Sequence, residues 1–258
     1  MSVYSPIVAH RGMSSLAPEN TIAAFAACVE HGVASFEFDV DIMGDGTLIV
    51  IHDNTLDRTT TGTGGYYDKS FSDLRRLDAG AWFSPTYRFE RVPELASVIE
   101  LMNRTGLDAN LEIKPSTSGH EMRQSLVEGV AVSLRELNSE RGIIISSFDP
   151  QLLAGVKEHA PHIPRACLFD WQDGPELEQV DSWIDIARHL DARAIHPGES
   201  RLTRQAVQRM LEAGFEVNVW TVNDLHRAAE LAEWGVHSVI TDVAQDFPAE
   251  SRAARPFA

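Results

Sequence analysis

Two histidines, three carboxylates and two cations stand at or near the ends of short apolar, β-branched runs. Ile7-Val8-Ala9 leads into His10-Arg11-Gly12, and Ile49-Val50-Ile51 leads into His52-Asp53. Between them Phe36-Glu37-Phe38-Asp39 alternates rings with carboxylates, and Leu111-Glu112-Ile113-Lys114 alternates aliphatic side chains with opposite charges. Residues two apart in a strand share a face, so Glu37 lies beside Asp39 and Glu112 beside Lys114. Carboxylates set among Phe36, Phe38 and Val40 are costly to bury unless something neutralises them. The all-oxygen donor set of Glu37, Asp39 and Glu112 suits one hard divalent cation, Mg2+ or Ca2+, rather than zinc. Imidazole exchanges protons near neutral pH, which makes His10 and His52 candidates for an acid–base pair. Arg11 and Lys114 are the matching phosphate ligands, Arg11 able to grip two oxygens at once. The combination points to metal-assisted cleavage of a phosphate ester.

Side chains so far apart in sequence need a fold that gathers them. Strand-like runs fall at 6–11, 34–42, 47–52, 108–114, 142–147, 164–169, 192–197, 216–221 and 237–241. Helical periodicity fits 20–31, 93–104, 120–138, 150–159, 176–190, 203–213 and 224–234. This alternation predicts an α/β fold, a (β/α)8 TIM barrel, whose strand C-terminal ends surround one active-site mouth. The 258 residues suit one such domain. Met43-Gly44-Asp45-Gly46 is a hairpin signal, so 34–42 and 47–52 are expected to pair antiparallel, one in the barrel wall and one flanking it. Asp149-Pro150 and Asn223-Asp224 open helices, and Gly32, Gly214 and Gly235 fall where helices close. Residues 54–91 break the rhythm, and only Phe71, Leu74 and Leu77 suggest a short helix there. That stretch is too long for an ordinary βα loop and is expected to form a small insertion over the barrel mouth. The tail after Phe247 is expected to be poorly ordered.

Lys and Arg number 22 against 38 Asp and Glu, a net charge of −16. That balance argues against nucleic-acid binding and against stable association with an anionic membrane. An anionic substrate must then be drawn in locally, by a bound cation with Arg11 and Lys114. Cys28 and Cys167 have no metal-ligand spacing and are expected to be small buried hydrophobes in a reducing compartment. The first strand begins by Ile7 and no apolar run approaches the ~20 residues that cross a bilayer. The expected location is the cytoplasm.

The ordered series His10-Arg11-Gly12, Pro18-Glu19-Asn20-Thr21, Glu37-Phe38-Asp39-Val40, Asp45-Gly46-Thr47, His52-Asp53, Leu56-Asp57-Arg58-Thr59-Thr60, Leu111-Glu112-Ile113-Lys114, Ser146-Ser147-Phe148 and Trp220-Thr221-Val222-Asn223 resembles the glycerophosphodiester phosphodiesterase family. The resemblance runs along nearly the whole chain. It implies a barrel with a small inserted subdomain, with Glu37, Asp39 and Glu112 on one Mg2+ or Ca2+. It also implies His10 and His52 as acid and base, Arg11 and Lys114 on the phosphate, Glu19 beside metal or phosphate, and Trp220 against the glycerol. Helix N-terminal capping competes for Glu19, and barrel packing for Trp220. Asn20, Ser147, His196 and Asp242 are weaker candidates, expected to support rather than react. The implied substrate is a glycerophosphodiester such as glycerophosphocholine or glycerophosphoethanolamine, split to sn-glycerol 3-phosphate and an alcohol. A lysophospholipase D and a non-catalytic ligand-binding barrel are the competing functions. The full set of histidines and carboxylates favours an enzyme, and the −16 charge favours the water-soluble substrate. The substrate's own 2-hydroxyl is the expected nucleophile, closing a cyclic glycerol phosphate that water then opens, and direct attack by metal-bound water is the competing route.

Overall fold

In the computed structural model, which describes residues 5–253, strands and helices alternate along the chain. Strands β1 (Ile7–Ala9), β2 (Ser35–Ile42), β3 (Leu48–Val50), β4 (Asp108–Ile113), β5 (Ile143–Ser147), β6 (Arg165–Phe169), β7 (Ala194–Pro197), β8 (Glu216–Val219) and β9 (Ser238–Thr241) form one sheet. All but β3 are parallel, and the sheet closes where Ala9 of β1 pairs with Thr241 of β9 and Phe36 of β2. Eight parallel strands closed in this way are a (β/α)8 barrel. β3 runs antiparallel to β2, with Val40 opposite Val50 and Ile42 opposite Leu48. Val40 also pairs with Ile113 on β4, so β3 occupies the edge of β2 that the short β1 leaves free.

The outer ring comprises α1 (Ile22–Glu30), α3 (Leu95–Thr105), α4 (His120–Ser133), α5 (Pro150–His159), α6 (Glu176–His189), α7 (Arg204–Glu212) and α8 (Leu225–Glu233), while α2 (Phe71–Leu74) lies in the irregular stretch. The helix starts follow from their caps. Thr21 accepts from the amide of Ala24, Asp149 from Gln151, and Asp224 from His226 and Arg227, satisfying donors with no partner inside the helix. The core between strands and helices is apolar, with Phe25, Phe36 and Phe38 meeting at centroid distances of 4.6–5.9 Å. Inside the barrel, Val8, Ile144, Ala166, Ala194 and Ile240 form a smaller cluster. Buried Asn110, Ser146, His196 and Asn218 add polar groups on the strands.

Apart from strand ends such as that of β1, two details depart from the sequence reading. The run expected over 120–138 leaves the α-helix after Ser133 and tightens into a 3-10 turn at Leu134–Glu136. The segment after Phe247 is ordered as far as it is described: α9 (Ala249–Arg252) is followed by Ala253. Arg252 donates to the carbonyl of His31 at 2.8 Å and accepts at its own carbonyl from the amide of Ala34. These long-range bonds hold the segment up to Ala253; 254–258, also covered by that expectation, lie outside the described residues.

Residues 51–94 connect β3 to α3 and carry a core of their own. Leu56, Tyr66, Leu74, Ala79 and Val92 pack with Met43, Ile49 and Ile51 of the hairpin. Asp41 at the end of β2 accepts from both Tyr66 and Tyr67, at 2.8 and 2.7 Å, which ties this stretch to the barrel wall. Leu77 lies beyond the four-residue α2 but still packs on that core.

Candidate active site

The turn after β1 is shaped by backbone conformation. Arg11 and Gly12 have φ of 54° and 78°, the left-handed region that side chains other than glycine's seldom adopt. A Cβ at Gly12 would lie 2.8 Å from the backbone carbon of Ala24, so only glycine fits there. The turn aims the Arg11 amide at Glu37 Oε2, 2.8 Å away. It also sends the guanidinium to Glu19 Oε1 at 2.7 Å and towards Asp39 at 3.6 Å.

Glu37, Asp39 and Glu112 converge. Each offers a carboxylate oxygen, and these oxygens lie within 4.8 Å of one another. Parallel pairing of Asp39 with Glu112 on neighbouring strands places them side by side. All three are buried. Lys114 Nζ bridges Asp39 at 3.2 Å and Glu112 at 2.8 Å, and Asn20 donates to Asp39 at 2.8 Å. Glu37 Oε1 is buried and accepts no hydrogen bond, an expensive arrangement for an anionic oxygen. Among the described residues the permanent cations paired with these carboxylates are Arg11 and Lys114, too few to balance all three when ionised. A hard divalent cation fits this set: it supplies a partner for the orphaned oxygen and turns the local charge positive, as a phosphodiester requires.

The carboxylates respond unequally to the shared space. Burial opposes ionisation of Asp39, but Lys114 and Arg11 outweigh it and hold the carboxyl well below the usual range. Burial, with the Asp39 charge beside it, pushes Glu112 up to about 7, and Glu37 moves up for the same reasons with Glu112 adding to them. Without a cation the folded protein therefore holds a proton at Glu112 that the unfolded chain releases near its ordinary 4.5. Stability is then expected to fall as pH rises from about 4.5 to about 7. Thermal melts of chelated protein should show a lower Tm at pH 8 than at pH 6. Saturating Mg2+ or Ca2+ should remove that loss, and Glu112→Gln should reduce it, the remainder coming from Glu37, which is raised by burial and Asp39 as well.

Each histidine is held at one nitrogen by a carboxylate. His10 Nδ1 lies 2.7 Å from Asp242 Oδ1, with Nε2 3.9 Å from Glu37. His52 Nδ1 lies 2.7 Å from Asp53 Oδ1. In both rings Nε2 is left for a ligand. Burial lowers the His52 pKa, partly offset by Asp39. Asp242 is down at about 2: burial works against its charge, but the hydrogen bond and charge of His10 prevail.

His10, Arg11, Glu37, His52 and Glu112 line one cavity of about 250 Å³. Its other side is apolar, formed by Phe148, Leu168, Trp220 and Ile240. Trp220 meets Phe148 edge to face at 5.3 Å and donates its indole N–H to the carbonyl of His196 at 2.8 Å. Glu19 stands behind Arg11, bonded to it and to Arg58. Among the weaker candidates, Asn20 and Asp242 hold Asp39 and His10. Ser147 donates to the carbonyl of Ile113. Burial takes the pKa of His196 down to about 3, and its ring lies 2.9 Å from Asn218 within the barrel. Phe148 and Asn110 also line the cavity. Asn110 carried a signal that the sequence reading missed, since it precedes Glu112 by two residues and shares its face.

Residues 10–245 match the model of the glycerophosphoryl diester phosphodiesterase family. The chain is 35% identical to a glycerophosphodiester phosphodiesterase of Caldanaerobacter subterraneus over 236 residues, covering 92% of this chain and 93% of that protein. It is 32% identical to one of Bacillus subtilis over 250 residues, covering 91% and 82%. Among solved structures it is similar to an Oleispira antarctica phosphodiesterase in complex with the product sn-glycerol-3-phosphate. The TM-score is 0.88 at 30% identity, covering 96% of each chain. A glycerophosphodiester phosphodiesterase from Agrobacterium tumefaciens gives 0.77 at 29%, covering 93% of this chain and 97% of that one. With the match spanning the barrel from His10 onwards, the chain belongs to the glycerophosphoryl diester phosphodiesterase family.

Proposed function

We propose that the chain hydrolyses glycerophosphodiesters, such as glycerophosphocholine and glycerophosphoethanolamine, to sn-glycerol 3-phosphate and a free alcohol. The observation that carries this reading is the cavity in which His10 and His52 meet Arg11, Glu37 and Glu112 on one side and Trp220 and Phe148 on the other. A phosphodiester with a small polyol on one side and an alcohol on the other matches both surfaces.

Glu37, Asp39 and Glu112 would hold one Mg2+ or Ca2+, which when bound neutralises phosphoryl oxygen charge as the diester is attacked. Arg11 and Lys114 add fixed positive charge at the same place, where low dielectric makes it effective. His52, kept neutral by burial, accepts the proton of the attacking hydroxyl at Nε2. His10 delivers a proton to the departing alkoxide from its own Nε2, with ionised Asp242 2.7 Å from Nδ1 to balance the imidazolium. Trp220 and Phe148 pack on the glycerol and shed its water. Glu19 acts on the phosphate through Arg11. Two buried, unpaired cysteines whose thiols burial pushes up to about 12 support a cytoplasmic setting. No helix among the described residues is long and apolar enough to cross a membrane.

The test is release of sn-glycerol 3-phosphate from a panel of glycerophosphodiesters, with Mg2+ and with Ca2+, beside lysophosphatidylcholine. Turnover of the water-soluble diesters is expected, and turnover confined to lysophosphatidylcholine would replace this reading with a lysophospholipase D.

Residues 54–91 belong to the same proposal as an insertion that shapes the leaving-group side of the cavity. The support is their separate core and their departure directly after His52. Shortening the loop between Asp78 and Glu90 is expected to reorder the preference among choline, ethanolamine and glycerol esters. Cation affinity should change less. An unchanged ranking in a folded variant would count against the insertion's role.

A further inference from the structure

Arg58 lies six residues beyond His52 in sequence, at the start of the irregular stretch. Its guanidinium binds with two edges. Nε and Nη2 donate to Asp53 Oδ2 and Oδ1 at 2.7 and 2.9 Å, while Nη1 and Nη2 donate to Glu19 Oε2 and Oε1 at 2.6 and 2.8 Å. Four of the five N–H donors of the fork are used, in a planar geometry that a lysine ammonium cannot reproduce. Each carboxylate then touches the site. Asp53 Oδ1 receives His52 Nδ1, and Glu19 Oε1 receives Arg11 Nη1, both at 2.7 Å. One unbroken chain of contacts therefore runs His52–Asp53–Arg58–Glu19–Arg11.

None of the three middle residues lines the cavity, so none of them meets substrate there. The side chain of Arg58 is 44% exposed, and ion pairs so open to water add little to stability. What the arrangement does supply is geometry. Glu19 and Asp53 are both held firmly ionised, Asp53 by Arg58 above all, and their separation is set by a rigid plane. Without that plane Glu19 keeps Arg11 for itself, and Asp53 is free to swing with the ring it holds.

We propose that Arg58 is a positioning residue that fixes the ring of His52 and the guanidinium of Arg11 in one frame, so that base and phosphate ligand face the same bound diester. This rests on the reading of His52 and Arg11 given above. The test uses the full chain loaded with Mg2+ or Ca2+ and compares Arg58→Ala, Arg58→Lys and Arg58→Ala with Glu19→Gln. Steady-state kinetics on glycerophosphocholine are read together with 15N NMR of the His52 imidazole. Arg58→Ala is expected to lower kcat by about 10- to 100-fold, the scale of a misplaced reacting group, and to raise KM, with Tm close to the parent. Arg58→Lys should rescue little, because an ammonium cannot hold both carboxylates in plane. Adding Glu19→Gln should recover KM, by releasing Arg11, and leave kcat low. The His52 signals should pass from one Nδ1–H tautomer to an averaged mixture.

Parent-like kcat and an unchanged tautomer in either Arg58 variant would overturn the inference. Should Arg58→Ala not fold, Arg58→Lys decides on the same two readouts. His52→Ala separates the levels: if it is inactive while the Arg58 variants are normal, only the positioning role fails. If His52→Ala is itself fully active, the acid–base reading beneath it fails.

Discussion

His10→Ala and His52→Ala are each expected to lower kcat by about 10²–10⁴-fold, the usual range for one acid or base. Both rings sit at the cavity with Nδ1 already given to a carboxylate, so what each offers a ligand is one nitrogen. Neither ring belongs to an apolar core, so Tm should change little and cation affinity should be kept. The two variants should differ in detail. A leaving alcohol of low pKa needs no proton, so a nitrophenyl ester should rescue the variant that lacks the acid and not the one that lacks the base. Rescue of His10→Ala alone is the expected pattern, because His52 is the histidine that burial holds neutral. Near-normal kcat in His52→Ala with intact cation binding would show that the assignment is wrong.

Removing divalent cations should abolish turnover, and Mg2+ or Ca2+ should restore it. The basis is the three buried carboxylates with oxygens within 4.8 Å of one another, paired among the described residues with two permanent cations, Arg11 and Lys114. Without a cation, burial and mutual repulsion favour protons on Glu37 and Glu112, so the site lacks the divalent charge that would polarise the phosphodiester. Asp39→Asn should be as damaging as chelation and resist rescue, since it removes a ligand and the charge shared by Lys114 and Arg11. Activity measured after exhaustive dialysis against a chelator, then titrated with each metal, checks this. Full turnover by metal-free protein would contradict it.

The parts of the site that share a strand were the legible ones. Period-two alternation put Glu37 beside Asp39 and Glu112 beside Lys114, and the parallel register of β2 with β4 brought the pairs together. The hairpin at Met43-Gly44-Asp45-Gly46 was equally plain, because turn residues between apolar runs act locally. β1 was read too long: it stops at Ala9 because Arg11 and Gly12 leave extended geometry to reach Glu37. Contacts across the chain were not legible in the same way. Asp242 lies 232 residues from the ring it holds, and Arg58 meets Glu19 across 39 residues of irregular path. Periodicity carries no information on either contact. Residues 248–253 differ from the expectation for the same reason, their order coming from contacts of Arg252 with distant His31 and Ala34.

In the proposed function the two histidines and the carboxylate cluster cut a glycerophosphodiester on the side of its alcohol. Identification of both products from glycerophosphocholine, at saturating Mg2+ or Ca2+, tests this most directly. Expected are sn-glycerol 3-phosphate and choline in equal amounts, at a rate that collapses when His10 and His52 are both alanine. Release of glycerol and phosphocholine, or equal rates with and without the two histidines, would contradict it.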